Sequence, residues 1–125
     1  MLNAVLEQLN CDRRVLEGFM LVRELKLYLK VSHPHFHPSV RARIWQGTVP
    51  SHLPYSFELS HHAHTPTQAV PYYPSVVNFS SEQEAINAAI RALTSFIEDA
   101  IRAGYEPDDA WLVPNADFYP RWEGF

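Results

Sequence analysis

The chain has 125 residues and 46% hydrophobic residues, which fits one globular domain and excludes an intrinsically disordered chain. Its formal net charge of −4 disfavours a nucleic-acid partner, and its single cysteine excludes an internal disulfide. No apolar run reaches transmembrane length, and the first ten residues lack a signal-peptide pattern. We therefore expect one cytoplasmic domain over residues 1–125, without a membrane partner, in which 105–125 form a packed C-terminal extension.

The N-terminal residues predict a short amphipathic helix. Its apolar residues recur at helical spacing: Leu2, Val5, Leu6 and Leu9. Asp12 could cap a second helical stretch through Phe19, but Gly18 disfavours a helix there. Residues 12–24 are therefore left open between helix and strand.

Three later segments alternate between apolar and polar residues, which is typical of strands with one buried face. The first segment has apolar side chains at every second position: Leu25, Leu27, Leu29 and Val31. This alternation can extend back to Phe19 only if Arg23 points inward. The second segment runs from Val40 to Gly47 and the third from Tyr55 to Ala63. Short, proline-containing connections between them predict an antiparallel meander.

The clearest helix signal lies between Ser81 and Gly104. Ser81 and Glu84 are spaced as a capping box, and Gly104 provides a stop. Apolar residues between them form one stripe: Ile86, Ala89, Ile90, Leu93, Phe96, Ile97, Ala100 and Ile101. We expect residues 65–80 to form an ordered surface loop, with a fourth, edge strand at Val76–Phe79 as an option.

Six aromatic residues follow this helix, and they are too many for a solvent-exposed tail. They are Tyr105, Trp111, Phe118, Tyr119, Trp122 and Phe125. We expect most of them to pack on the domain or across a dimer interface. Residues 106–109 combine a proline with acidic side chains, which indicates a further short helix start.

The predicted fold is α+β, with a three-stranded or four-stranded antiparallel sheet covered on one face by helices, in the order α-β-β-β-α plus the aromatic tail. In topology this order resembles the double-stranded RNA-binding domain. That family has a lysine-rich start to its second helix, where this chain has Ser81-Glu82-Gln83-Glu84. Carboxylates at that place repel phosphate, so RNA binding is not inferred from the topology.

The outward face of the predicted sheet is the first candidate site. It combines cations and aromatic rings at five positions: Lys26, Tyr28, Arg41, Arg43 and Trp45. Such a face can bind single-stranded nucleic acid, an acidic peptide or a protein partner. The alternative is a solvated face in which Glu58 pairs with Arg41 or Arg43 and the aromatic tail covers Trp45.

Two groups of histidines are the second candidate site. Residues two apart in an extended segment share a side, so each group can present several imidazoles together. The candidate ligands are His33, His35, His37, His62, His64 and Glu58. Imidazoles and a carboxylate suit zinc or another divalent metal, which could activate water if the two groups meet. No specific zinc signature is present, and the alternative is a set of polar loop histidines.

No strong catalytic motif occurs in the sequence. Its four glycines fit neither a dinucleotide fingerprint nor a phosphate-binding loop, and Cys11 lies beside Asp12, which does not activate a thiol. The sequence therefore favours a small binding or interaction module that uses the sheet face and the aromatic tail as a homodimer. The alternative function is a metal-dependent, hydrolase-like enzyme built on the histidines.

Overall fold

The computed structural model describes residues 3–118 and shows an α+β fold. Its elements are α1 (Ala4–Cys11), β1 (Phe19–Tyr28), β2 (Ser39–Gly47), β3 (Tyr55–Leu59), β4 (His61–Ala63), β5 (Asn78–Phe79), α2 (Glu82–Arg102), a 3-10 helix (Asp109–Trp111) and β6 (Leu112–Pro114). Four strands form an antiparallel sheet in the order β1-β2-β3-β5, and β4 pairs with β6 in a second, smaller sheet. The predicted α+β class and antiparallel sheet are confirmed.

The first strand begins before the predicted alternation and also ends before it, at Tyr28, so the predicted strand positions Leu29 and Val31 lie beyond β1. β1 begins at Phe19, and residues 12–18 are not helical. Its register with β2 leaves Val22 without a partner, as a bulge. Arg23 turns to the side of α2, where its Nε donates a hydrogen bond to Glu82 Oε2 at 2.7 Å. The inward arginine that the longer strand requires is therefore paired with a carboxylate in the first turn of α2.

α2 packs on the sheet through small side chains as well as large ones. Its buried residues are Ala85, Ala89, Ala92, Leu93, Ile97 and Ala100. All of them except Ala85 share one core cluster with residues of the sheet such as Val40, Ala42 and Leu59. Ile90, which the sequence placed in the apolar stripe, is exposed. The buried face is thus turned toward the alanines, which let the helix approach the sheet closely.

The predicted caps of α2 are present, with one change of partner. Ser81 Oγ accepts a hydrogen bond from the Glu84 backbone N–H at 3.1 Å. The Glu84 carboxylate accepts from the hydroxyl and backbone N–H of Ser80, and these bonds hold the pKa of Glu84 below its ordinary value. Gly104 follows the helix with a φ of +94°, a conformation that glycine adopts without strain.

The third predicted strand is split at Ser60. Ser60 is held to β2 by its N–H, which donates to Arg41 O at 2.9 Å, and by its Oγ, which accepts from Arg41 N at 2.7 Å. Asn115 then donates to the carbonyl groups of Leu59 and Ser60, each at 2.8 Å. The predicted continuous strand over residues 55–63 is therefore wrong. At Ser60 the chain changes its pairing partner from β2 to β6.

The N-terminal helix is short and capped. Asn3 Oδ1 accepts a hydrogen bond from the Leu6 backbone N–H at 2.9 Å, and Leu6 is fully buried while Val5 is exposed. Leu2 lies outside the described residues. Between residues 3 and 118, no helix combines the length and the apolar character that crossing a bilayer requires.

The aromatic residues after α2 have different surroundings. Trp111 and Phe118 are buried, whereas Tyr105 is exposed. Tyr119, Trp122 and Phe125 lie outside the described residues, so their predicted packing stays a prediction. The short helix start predicted near 106–109 is the 3-10 helix, with Asp108 Oδ1 accepting from Ala110 N at 2.8 Å.

Candidate binding surface on the outer sheet face

The face of the sheet that points away from α2 holds the predicted binding residues. The register places Lys26 opposite Arg41, and Glu24 opposite Arg43. Tyr28 and Trp45 follow at even spacing on the same two strands, so all five predicted residues lie on one face. We call this surface the outer face.

Arg43 lies at the centre of the outer face but is only 3% exposed. Its Nε donates to Glu24 Oε1 at 2.6 Å, and its Nη1 lies 3.5 Å from Glu58 Oε1. The same Nη1 donates to the backbone oxygen of Phe118 at 2.5 Å, and the Phe118 ring lies 3.9 Å from the guanidinium carbon. Arg43 therefore holds together three strands and the C-terminal segment, and it is not accessible to a ligand in this arrangement.

The C-terminal segment reaches the outer face through β6 and Asn115. β6 pairs with β4, and Asn115 binds the backbone where β3 ends. Phe118 N then donates to Asn115 O at 3.1 Å, which turns the chain so that the Phe118 ring is fully buried over Arg43. We call the part of the outer face formed by Glu24, Arg43, Glu58 and Phe118 the covered half.

The other part of the outer face is open and apolar. Phe19 is 54% exposed and Leu21 38% exposed, and Leu21 pairs with the half-buried Trp45. Trp45 Nε1 donates to Glu58 Oε1 at 3.2 Å. A concavity of about 400 Å³ lies here, with Val77 on its far side. We call the part formed by Phe19, Leu21, Trp45 and Val77 the open half.

Three predicted binding residues remain accessible at the end of the face distant from the open half. Lys26, Tyr28 and Arg41 are exposed, and Lys26 Nζ lies 5.3 Å from the centre of the Tyr28 ring. They lie beside the covered half, and Tyr28 ends β1. The structure thus separates the five predicted residues into an exposed group of three, a buried arginine and a half-buried tryptophan.

The sequence reasoning missed the residues that decide these environments. Glu24 precedes Lys26 by two positions, so strand alternation could have placed its carboxylate on the same face. Phe19 and Leu21 join the face only once β1 is extended through its bulge. No local signal links Phe118 to Arg43, because they are brought together by pairing between distant segments.

The first histidine group makes contacts within its own loop and with Glu106. His33 Nε2 lies 3.3 Å from Glu106 Oε2, and His33 Nδ1 accepts from His35 N at 3.2 Å. The ring nitrogens of His37 lie 3.3 Å from Leu29 O and 3.0 Å from Pro34 O. A ring nitrogen that donates to a carbonyl is not available to a metal, so His37 would have to reorient to act as a ligand.

The second histidine group lies on and beside β4. His61 Nδ1 lies 2.7 Å from Ser60 Oγ, and the His62 ring packs at 4.6 Å against Tyr73. His62 Nδ1 is enclosed and makes no hydrogen bond within residues 3–118. Burial lowers the pKa of both His61 and His62, and for His61 the neighbouring His62 lowers the pKa further.

The two segments that carry the histidine groups both contact Trp111. The ring of Phe36 lies 6.4 Å from the ring of Trp111, and His64 N donates to Trp111 O at 2.7 Å. Glu58, the predicted carboxylate ligand, instead lies with Arg43 and Trp45. Across residues 3–118, no three His, Cys, Asp or Glu side chains form a group that could hold a metal ion. The metal-site hypothesis stays a prediction.

Comparison with known proteins gives no relative. The chain matches no family model, no curated protein and no solved structure. Its function must therefore be inferred from the surfaces described above.

Proposed function

We propose that the chain is a small cytoplasmic protein-interaction module that works as a homodimer, joined by pairing of β1 with β1 of a second copy. The observation that carries the proposal is the edge position of β1 in the sheet. β1 spans ten residues, and the backbone groups on its outer side make no hydrogen bond within the described part of the chain. A long edge strand of this kind is a template for another strand.

The side chains of β1 fit a second copy of the same strand. In an antiparallel pair with its two-fold axis at Leu25, Glu24 lies opposite Lys26 of the second copy, and Lys26 opposite Glu24. Both side chains are on the outer face, so each dimer gains two cross-strand pairs of opposite charge. The net charge of −4 also favours a protein partner over nucleic acid.

The open half lies beside this proposed junction. In this register residues 22–28 of the two copies pair with each other, so Leu21 and Phe19 lie just beyond the end of the second copy's β1. Their exposed side chains therefore border the junction and are not part of its paired region. The predicted contribution of the aromatic tail, through Tyr119, Trp122 and Phe125, belongs to the same proposal and is tested separately.

Light scattering coupled to size-exclusion chromatography tests the proposal directly. We expect a mass of twice the 14.4 kDa of one chain. Lys26→Glu places like charges opposite each other twice in the dimer, so its dissociation constant should rise about tenfold. Lys30→Glu is the matched control, because Lys30 is exposed and lies beyond the end of β1; it should leave the dissociation constant unchanged.

Two outcomes contradict edge pairing. One is a monomer of the wild-type chain at all concentrations tested. The other is a dimer that Lys26→Glu leaves intact while a chain ending at Phe118 is monomeric, because the aromatic tail would then carry the association.

A further inference from the structure

A cavity of about 460 Å³ lies between α2 and the segment that leads into β5, on the opposite side of the sheet from the outer face. The rings of Phe57 and Phe79 are stacked 5.9 Å apart and line one side of it. Tyr72 lines one end, with its ring packed 5.0 Å from Phe96. The volume falls in the range of small-molecule pockets, and the aromatic lining suits an apolar ligand.

The helical wall of the cavity consists of small side chains and one cation. Ala88, Ala92 and Ser95 lie on one face of α2 at a spacing of four and then three residues. Their small size leaves the space that a leucine at one of these positions would fill. Arg91 lies on the same face and is the one charged residue that lines the cavity in the described part of the chain.

Arg91 has no acidic partner in the structure as described. Within residues 3–118 its guanidinium makes no ion pair, whereas Arg102 on the same helix pairs with Asp99. The residues three and four positions away from Arg91 along α2 carry no charge. An exposed cation therefore lines the apolar cavity, and no carboxylate within residues 3–118 forms an ion pair with it.

We propose that this cavity binds a small amphipathic monocarboxylate, with its apolar body inside the chamber and its carboxylate on Arg91. The guanidinium presents paired N–H donors that match the two oxygens of a carboxylate. Ser95 lines the same wall, and its hydroxyl makes no hydrogen bond among residues 3–118, so it is available as a further donor. An uncharged ligand of the same shape would fill the chamber but gain nothing from Arg91.

Titration of the full-length, ¹⁵N-labelled chain with octanoate, followed by NMR, tests the proposal. We expect saturable shifts at amides of the cavity wall, including Phe79 and Ala92. Octanol, which has the same chain without the charge, should bind about tenfold more weakly. Shifts confined to the outer face, or equal affinity for octanoate and octanol, would overturn the proposal.

Two substitutions separate the contribution of the Arg91 charge to binding from the contribution of the apolar cavity. Arg91→Gln should weaken octanoate binding about tenfold, to the level of octanol, because only the ion pair is removed. Ser95→Leu should abolish binding of both molecules by filling the space. Both positions are exposed, so the folded spectrum should persist and reports any loss of structure.

A matched control on the same helix is Arg102→Gln, which should bind octanoate like the wild-type chain. Unchanged octanoate affinity in Arg91→Gln refutes the assignment of the carboxylate to Arg91. The Lys26→Glu variant should retain octanoate binding. A result that contradicts the dimer can therefore be distinguished from a result that contradicts ligand binding in the cavity.

Discussion

The two halves of the outer face reverse the usual relation between polarity and exposure. In the covered half, Arg43 is almost completely buried between two carboxylates and under the Phe118 ring. In the open half, Phe19 and Leu21 are exposed. The difference shows that the segment which crosses a face decides what is accessible there, more than the side chains that the face carries.

The covered half tolerates a buried charge because its partners are complete. Burying an unpaired guanidinium is strongly unfavourable, but Arg43 faces Glu24, Glu58 and the Phe118 carbonyl group together. Charge-assisted hydrogen bonds of this kind are stronger than neutral ones. The covered half therefore has a structural role, and the proposed dimer would use the edge of β1, beside the open half.

The largest expected effect comes from removing the covering ring. Phe118→Ala deletes a fully buried aromatic side chain, so the free energy of unfolding should fall by about 4 kcal/mol. Phe19→Ala removes a phenyl ring from the open half. It should lower the free energy of unfolding by less than about 1 kcal/mol, because more than half of Phe19 is already exposed. Urea denaturation at low protein concentration measures both. Equal losses would show that the halves do not differ as described.

The buried arginine should give the next largest effect. Arg43→Met removes the cation between Glu24 and Glu58, which are themselves partly exposed, so we expect a loss of about 2 kcal/mol in the free energy of unfolding. Arg41→Met is the matched control two positions away, where the side chain is exposed; its effect should stay within about 0.5 kcal/mol. A similar loss in both variants would contradict the structural role of Arg43.

The smallest expected effect is a pH dependence that arises from the two histidines on β4. Burial lowers the pKa of His61 and His62 below the ordinary value of 6.5, so the folded chain binds fewer protons than the unfolded chain below that pH. Their contribution to stability is complete above 6.5 and is lost as the pH falls through 6.5 toward the folded-state pKa values.

Unfolding curves from about pH 7.5 to about pH 5.5 measure this dependence. The double variant His61→Gln and His62→Gln should flatten it, while the exposed His52→Gln should keep the wild-type slope. Hydrogen exchange should show the β4–β6 amides losing protection before those of β1 and β2. A wild-type slope in the double variant would exclude the two histidines as its source.

Local patterns predicted the elements whose causes are local. The alternation at Leu25 and Leu27 and the capping signal at Ser81 reflect contacts within a few residues, and both correspond to observed elements, although β1 ends before Leu29. The buried face of α2 was predicted less well, because alanine contributes little to an apolar pattern although it packs closely against a sheet. For this reason the apolar pattern placed Ile90 on the buried face of α2, although Ile90 is exposed.

The candidate site depended on contacts that no local pattern encodes. That Arg43, Trp45 and Glu58 share a face follows from alternation alone, and the structure places them so. The burial of Arg43 required Phe118 to cross the sheet, which depends on the break at Ser60 and on Asn115. Sequence reasoning offered tail aromatics covering the face as an alternative, but it could not identify which ring covers which residue.

The pairing of Ala63 with Leu112 also has a consequence for the order of folding. All of α2 lies between these two partners, whereas β1, β2 and β3 pair with their neighbours along the chain. Closing the longer loop costs more chain entropy, so we expect the meander to form early and β6 to dock in a late step. Substitutions in β6 should therefore accelerate unfolding while leaving the refolding rate nearly unchanged.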